Sequence, residues 1–272
     1  MANPSERDIH VRACTDSRSP DAAGYTTGAA ACLPGGPDSS VIPLKDDIPV
    51  SHAPVVTVAL IATNAAVFLW QVMIGLPLSV EVGGAIPYEI LTLRDVGPQD
   101  LVPPPFTLLT SMFLHGGFMH IAGNMLFLWI FGNNVEDVLG RLRFLLFYLA
   151  CGTVAALSQV GVTALGGDPP ALLVPMVGAS GAIAGVLAAY MLLFPRARVL
   201  TLVPIFIFIR LIYVPAGFFI GLWFALQLAS ALLGGSGSGI AFVAHIGGFA
   251  SGFALVKLAG PRAPLRYRRF GR

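Results

Sequence analysis

Gly178-Ala179-Ser180-Gly181-Ala182-Ile183-Ala184-Gly185 opens a charge-free apolar run that continues to Phe194, and Ala244-His245-Ile246-Gly247-Gly248-Phe249-Ala250-Ser251-Gly252 lies inside a second apolar run, Gly239 to Gly260. Neither run has the polar face that a soluble amphipathic helix would show. Each therefore reads as a helix surrounded by lipid or by other apolar helices. Each also carries a glycine pair four residues apart, Gly181 with Gly185 and Gly248 with Gly252, the spacing that lets two membrane helices touch backbone to backbone.

The rest of the chain agrees with that solvent. Charged residues make up 11% of the chain and hydrophobic ones 56%, against about 25% charged in a soluble domain. A bilayer core of ~30 Å needs about 20 apolar residues per helix. Six segments approach that length: Pro54 to Gly75, Gly117 to Val135, Leu142 to Leu165, Met176 to Phe194, Leu211 to Leu233 and Gly239 to Gly260. The expected fold is an all-α membrane bundle of six transmembrane helices. Residues 1–52, rich in Pro, Gly, Ser, Asp and Arg, read as a disordered tail. Residues 53–260 form the six-span domain, and 261–272 a basic C-terminal tail.

Arginine placement orients the bundle. Arg141 and Arg143 follow the second segment, Arg196, Arg198 and Arg210 separate the fourth from the fifth, and Arg262, Arg266, Arg268, Arg269 and Arg272 fill the tail. With six spans, all of these fall on the side of the N-terminus, while the other side holds only Arg94. The positive-inside rule then makes both termini cytoplasmic, and a bacterial cell membrane is the expected setting. His10, Cys14 and Cys32 match no common zinc spacing. No cofactor, no metal and no nucleic-acid partner is expected.

Depth brings the polar side chains into relation. At 1.5 Å per residue, Ser180 lies about 24 Å from Arg196, His120 about 24 Å from Glu136, and His245 about 18 Å from Lys257. The three sit at one level, inside the bilayer and nearer its outer face. His245, Gly248 and Gly252 share one helical face, as do His120 and Asn124. If the two glycine seams meet, hydroxyl and imidazole come within reach of each other.

A single Ser or His in a membrane helix is usually interhelical hydrogen-bond glue, and His120 with Asn124 could likewise clasp two helices. Together, however, the four fit acyl transfer: Ser180 as nucleophile, His245 as base, and Asn124, His120 and the Ser180 N–H as donors to a developing oxyanion. Every acidic residue lies in the tail, a loop or a span end, so the expected array is a Ser-His dyad whose imidazole is oriented by packing. His115 is expected to point elsewhere, toward water or the loop at the mouth.

These motifs resemble those of the rhomboid intramembrane serine proteases: His115-Gly-Gly-Phe-Met-His120-Ile-Ala-Gly-Asn124, Gly178-Ala-Ser180-Gly181 and Ala244-His245-Ile-Gly-Gly248-Phe-Ala-Ser-Gly252, in order, across roughly His52 to Gly260. The resemblance implies a short central nucleophile helix, catalytic Ser180 and His245, and oxyanion stabilisation by Asn124 and His120. It also implies single-span membrane proteins as substrates, cut near the outer face after a small side chain. Glu136 to Gly140, with Arg141 and Arg143, resembles a cytoplasmic turn that braces the fold. Two positions depart from the family pattern: Phe106-Thr107 replaces a Trp-Arg pair, and Ala184 replaces a tyrosine that stacks on the catalytic histidine in some members. The rival readings are a silent relative that binds and escorts membrane proteins, which should have lost Ser180 or His245, and a transporter, which should show repeats or a buried ion pair.

Overall fold

The computed structural model describes residues 42–96, 102–205, 208–233 and 242–259. In chain order these form β1 (Ile42–Asp46), α1 (Val55–Ile74), α2 (Leu76–Gly83), α3 (Pro87–Thr92), α4 (Pro104–Thr110), α5 (Phe118–Phe127), α6 (Asn133–Leu139), α7 (Arg141–Gly166), α8 (Pro169–Leu172), α9 (Ser180–Leu193), β2 (Arg198–Ile205), β3 (Phe208–Pro215), α10 (Ala216–Leu233) and α11 (Phe242–Ala259). The molecule is mainly helical. Among the described residues two helices, α1 and α7, are long and apolar enough to cross a membrane. A third span arises if Pro104–Phe113 and Phe118–Leu139 are taken together across their 81° bend.

The other expected spans are shorter. α9 has 14 residues, a length of about 21 Å at 1.5 Å per residue, less than a ~30 Å hydrocarbon core. Its sequence, Ser-Gly-Ala-Ile-Ala-Gly-Val-Leu-Ala-Ala-Tyr-Met-Leu-Leu, is apolar on every face, as suits a helix enclosed by others. Every residue from Gly181 to Tyr190 is buried. α7 and α11 pack against it, and at the α9–α11 crossing no side chain intervenes. A Cβ added at Gly248 would strike the Gly181 carbonyl, and one at Gly252 would lie 2.5 Å from the Gly185 Cα. Behind α9, a Cβ at Gly185 would sit 2.5 Å from the Cys151 Sγ of α7.

Two expectations about the fold need correction. Leu211 to Pro215 is not the start of a span: β2 and β3 make an antiparallel hairpin from Arg198↔Pro215 to Ile205↔Phe208, so the bundle is not all-α. Val, Ile, Thr, Tyr and Phe dominate that stretch and favour strands, and Pro204 and Pro215 disfavour a helix interior. Hydropathy is blind to this, because a short apolar run fits either element.

The second correction concerns the tail. Residues 42–52 are ordered, β1 pairing antiparallel with β2 from Ile42↔Leu202 to Asp46↔Val199. Beyond the strand, Asp137 accepts from the backbone N–H groups of Ser51 and His52 at 2.8 and 3.1 Å. The folded part therefore begins by Ile42 rather than at residue 53, while residues 1–41 and the tail 261–272 lie outside the described residues.

Glu136 explains how α1 is seated. Its carboxylate accepts from the N–H of Val56 at 2.9 Å, the N–H of Thr57 at 2.7 Å and the Thr57 hydroxyl at 2.8 Å. Those are first-turn donors of α1, which lack acceptors within the helix, and a negative charge there also suits the helix dipole.

Candidate active site

Ser180 is the first residue of α9, and the preceding backbone is shaped to aim it. Gly178 holds φ at +126°, a left-handed conformation open to glycine at little cost. Its N–H donates to the Ser111 carbonyl at 2.8 Å. Two residues earlier, Met176 and Ala85 exchange backbone hydrogen bonds of 2.9 and 3.0 Å. The approach to Ser180 is thus tied down on both sides, and the N–H groups of the first turn of α9 remain without intrahelical acceptors.

The glycine seams carry α11 across α9 so that His245 Nε2 lies 2.7 Å from Ser180 Oγ. That is hydrogen-bond distance, with the hydroxyl donating to the ring nitrogen. The other ring nitrogen, Nδ1, lies 2.6 Å from the amide oxygen of Gln227 on α10. An amide oxygen only accepts, so the proton of the neutral ring resides on Nδ1. One turn before Gln227, the Trp223 ring lies against the imidazole with centroids 5.7 Å apart. Ala184 removes the possibility of a stacked tyrosine, and Trp223 and Gln227 are the side chains that flank the ring instead.

His120 and Asn124 come from α5 and line the same cleft as Ser180 and His245, a cavity of about 870 Å³. The Gly116 N–H donates to His120 Nδ1 at 3.3 Å, which leaves the His120 proton on Nε2. That nitrogen is directed toward the turn before Ser180: a Cβ built on Gly178 would lie 2.8 Å from it. The Asn124 side-chain amide is buried with its Nδ2 unpartnered among the described residues. A buried donor without a partner is uncommon, and this one borders the cleft that holds Ser180.

His115 does not reach the mouth. It is fully buried, its ring meeting His120 edge-on with centroids 5.1 Å apart. Its backbone is clamped by Gln71 of α1, whose Oε1 accepts from the His115 N–H at 2.9 Å and whose Nε2 donates to the His115 carbonyl at 3.1 Å. Gln71 and Gln227 are the polar contributors that sequence reading missed. Neither stands in a motif, and each matters through how its helix is rotated. Phe106 is exposed while Thr107 is buried, its hydroxyl donating to the Pro104 carbonyl at 2.6 Å. His10, Cys14 and Cys32 lie outside the described residues.

Comparison with known proteins agrees with this architecture. A family model described as Rhomboid domain matches residues 104–262. The chain is 32% identical over 154 residues to "Rhomboid protein 1, mitochondrial" of Saccharomyces cerevisiae, covering 56% of this chain and 40% of that protein. It is 38% identical over 103 residues to "Presenilin-associated rhomboid-like protein, mitochondrial" of Homo sapiens, covering 37% and 26%. It is 42% identical over 82 residues to "Rhomboid protease GluP" of Bacillus subtilis, covering 30% and 14%. The matched region thus spans less than half the length of each relative. The family-model match includes all of α4 to α11, and with them Ser180, His245, His120 and Asn124. An integral, multi-pass membrane protein by composition and helices, this chain belongs to the rhomboid family.

Proposed function

We propose that this chain is an intramembrane serine endopeptidase acting through a Ser180–His245 dyad. The observation that carries the reading is the 2.7 Å contact between Ser180 Oγ and His245 Nε2, set in a cleft that also presents Asn124 and His120. Ser180 attacks the scissile carbonyl as its proton passes to His245 Nε2. The oxyanion is met by the His120 Nε2–H, the Asn124 amide and the N–H at the start of α9. His245 then returns the proton to the leaving amine, and water, activated by the same imidazole, releases the acyl-enzyme.

Substrates are single-span membrane proteins, cut near the outer face after a small side chain, with both termini of the enzyme on the arginine-rich side of the membrane, which in a bacterium is the cytoplasm. The substrate class follows from family resemblance, and the orientation from the arginine pattern. The relatives' names divide between mitochondria and Bacillus subtilis, so the proposal extends to a multi-pass protein of either membrane and no longer to the bacterial cell membrane alone. The escorting, non-enzymatic reading is disfavoured by the retention of both dyad residues at hydrogen-bond distance.

A serine activated by an adjacent base reacts covalently with isocoumarins or fluorophosphonates, whereas an inert helix hydroxyl does not. Labelling of the detergent-purified protein is expected at Ser180 by mass spectrometry and is expected to be lost in Ser180→Ala and in His245→Ala. Cleavage of a model single-span substrate should disappear in the same two variants. A label mapping to Ser158 or Ser251, or undiminished in His245→Ala, would overturn the assignment.

A further inference from the structure

We infer that Gln227 is a positioning residue for His245, a neutral counterpart of the acid that completes a Ser-His-Asp triad; this rests on the reading of Ser180 and His245 as the hydrolytic pair. A neutral imidazole can carry its proton on either ring nitrogen. Only the tautomer with Nε2 bare can accept the serine proton, and imposing the wrong one costs about 10⁴-fold in a Ser-His-Asp protease. In this chain the Gln227 amide oxygen, 2.6 Å from Nδ1, selects the productive tautomer and fixes the rotation of the ring. Trp223, i–4 to Gln227 on the same face of α10, bounds the ring as well.

An amide suits this setting better than a carboxylate. A charge buried among membrane helices is costly unless it is paired, whereas an amide oxygen offers the same acceptor without that penalty. Trp223 lines the cleft and Gln227 does not. Gln227 therefore acts through His245 and touches no substrate. Among the described residues, the titratable groups sharing the His245 cleft are His120 of α5 and Asp168 before α8, and neither changes when residue 227 is replaced.

The test uses the full chain, purified in detergent, with Gln227→Leu and Gln227→Glu compared for cleavage of a single-span substrate and for the pH dependence of kcat. Gln227→Leu keeps the bulk of the side chain and removes the acceptor; kcat is expected to fall about 10- to 100-fold, by analogy with the loss of a partner that orients a metal-binding histidine, with KM within about twofold. Gln227→Glu is expected to retain activity with the acid limb of its profile moved to higher pH. An adjacent carboxylate favours imidazolium, and imidazolium cannot accept the serine proton. A residue 227 that does not face the His245 ring would leave that limb in place.

A second readout does not depend on turnover. In protein labelled with 15N-histidine and carrying Ser180→Ala, the His245 resonance, assigned by its loss in His245→Ala, is expected to report a proton on Nδ1. Gln227→Leu should shift it toward a mixture of tautomers. Wild-type kcat in Gln227→Leu, or an unchanged tautomer in that variant, would sink this inference alone. Failure of the wild-type protein to label at Ser180 would instead remove the dyad on which it rests.

Discussion

At the scale of single residues, chemistry in this cleft depends on where protons are held. His120 has its Nδ1 occupied by the Gly116 N–H, and Asn124 has a buried amide donor with no partner among the described residues; both are poised to donate. Losing one oxyanion donor typically costs roughly 10²- to 10³-fold in turnover. Asn124→Ala is expected to slow cleavage by that order while melting near the wild-type temperature. Wild-type rates in an Asn124→Ala, His120→Ala double variant would remove both from the oxyanion role. That Ser180, His245, His120 and Asn124 would border one cleft was legible in the sequence, because depth along each span and helical spacing place them at one level. The place of Gln227 was not. A lone glutamine in an apolar helix is indistinguishable from interhelical glue until the rotation of α10 is known, and so the expectation that packing alone orients the imidazole omitted it.

At the scale of elements, the glycine seams decide how near α11 can come to α9. The sequence made this legible, since Gly181, Gly185, Gly248 and Gly252 repeat at the interval of close approach, and the two pairs do meet. Gly252→Leu would force a side chain into the backbone of Gly185, and overpacking of this kind costs roughly 1 to 3 kcal/mol or more. Thermal stability and cleavage are expected to fall together. Gly161→Leu serves as the control: that glycine lies on the same bundle's α7 with nothing within 4 Å of an added Cβ, and its replacement should change neither property. Unaltered melting and activity in Gly252→Leu would show that the crossing is looser than these contacts indicate. The β2–β3 hairpin, in contrast, was hidden by composition, because an apolar strand and an apolar helix satisfy the same hydropathy window.

At the scale of the whole described body, β1 draws the residues before the first helix to the far end of α9. The Asp46 carboxylate accepts from the Tyr190 hydroxyl and from Asn134 Nδ2, each at 2.6 Å. Burial pushes the Asp46 carboxyl up from 3.8 to about 6, partly opposed by the bond from Tyr190 and aided by the nearby charge of Asp47. Because the folded state holds this proton more tightly than the unfolded chain, its stabilising contribution is full below about 3.8 and is lost as pH rises through about 6. The melting temperature is expected to fall between pH 4 and pH 7 by less in Asp46→Asn than in the wild type; equal slopes would show that Asp46 does not titrate in this window. Nothing local in Ile42-Pro-Leu-Lys-Asp46 announced this strand, since its partner lies in β2, far along the chain. That separation has a consequence for biogenesis. Asp46 and Tyr190 are 144 residues apart, and a ribosome adds about 5 to 20 residues each second. The first of the described residues to be synthesised must therefore wait, unpaired, through the insertion of most of the bundle. They can settle only once β2 has emerged, which makes β1 among the last elements to find its place.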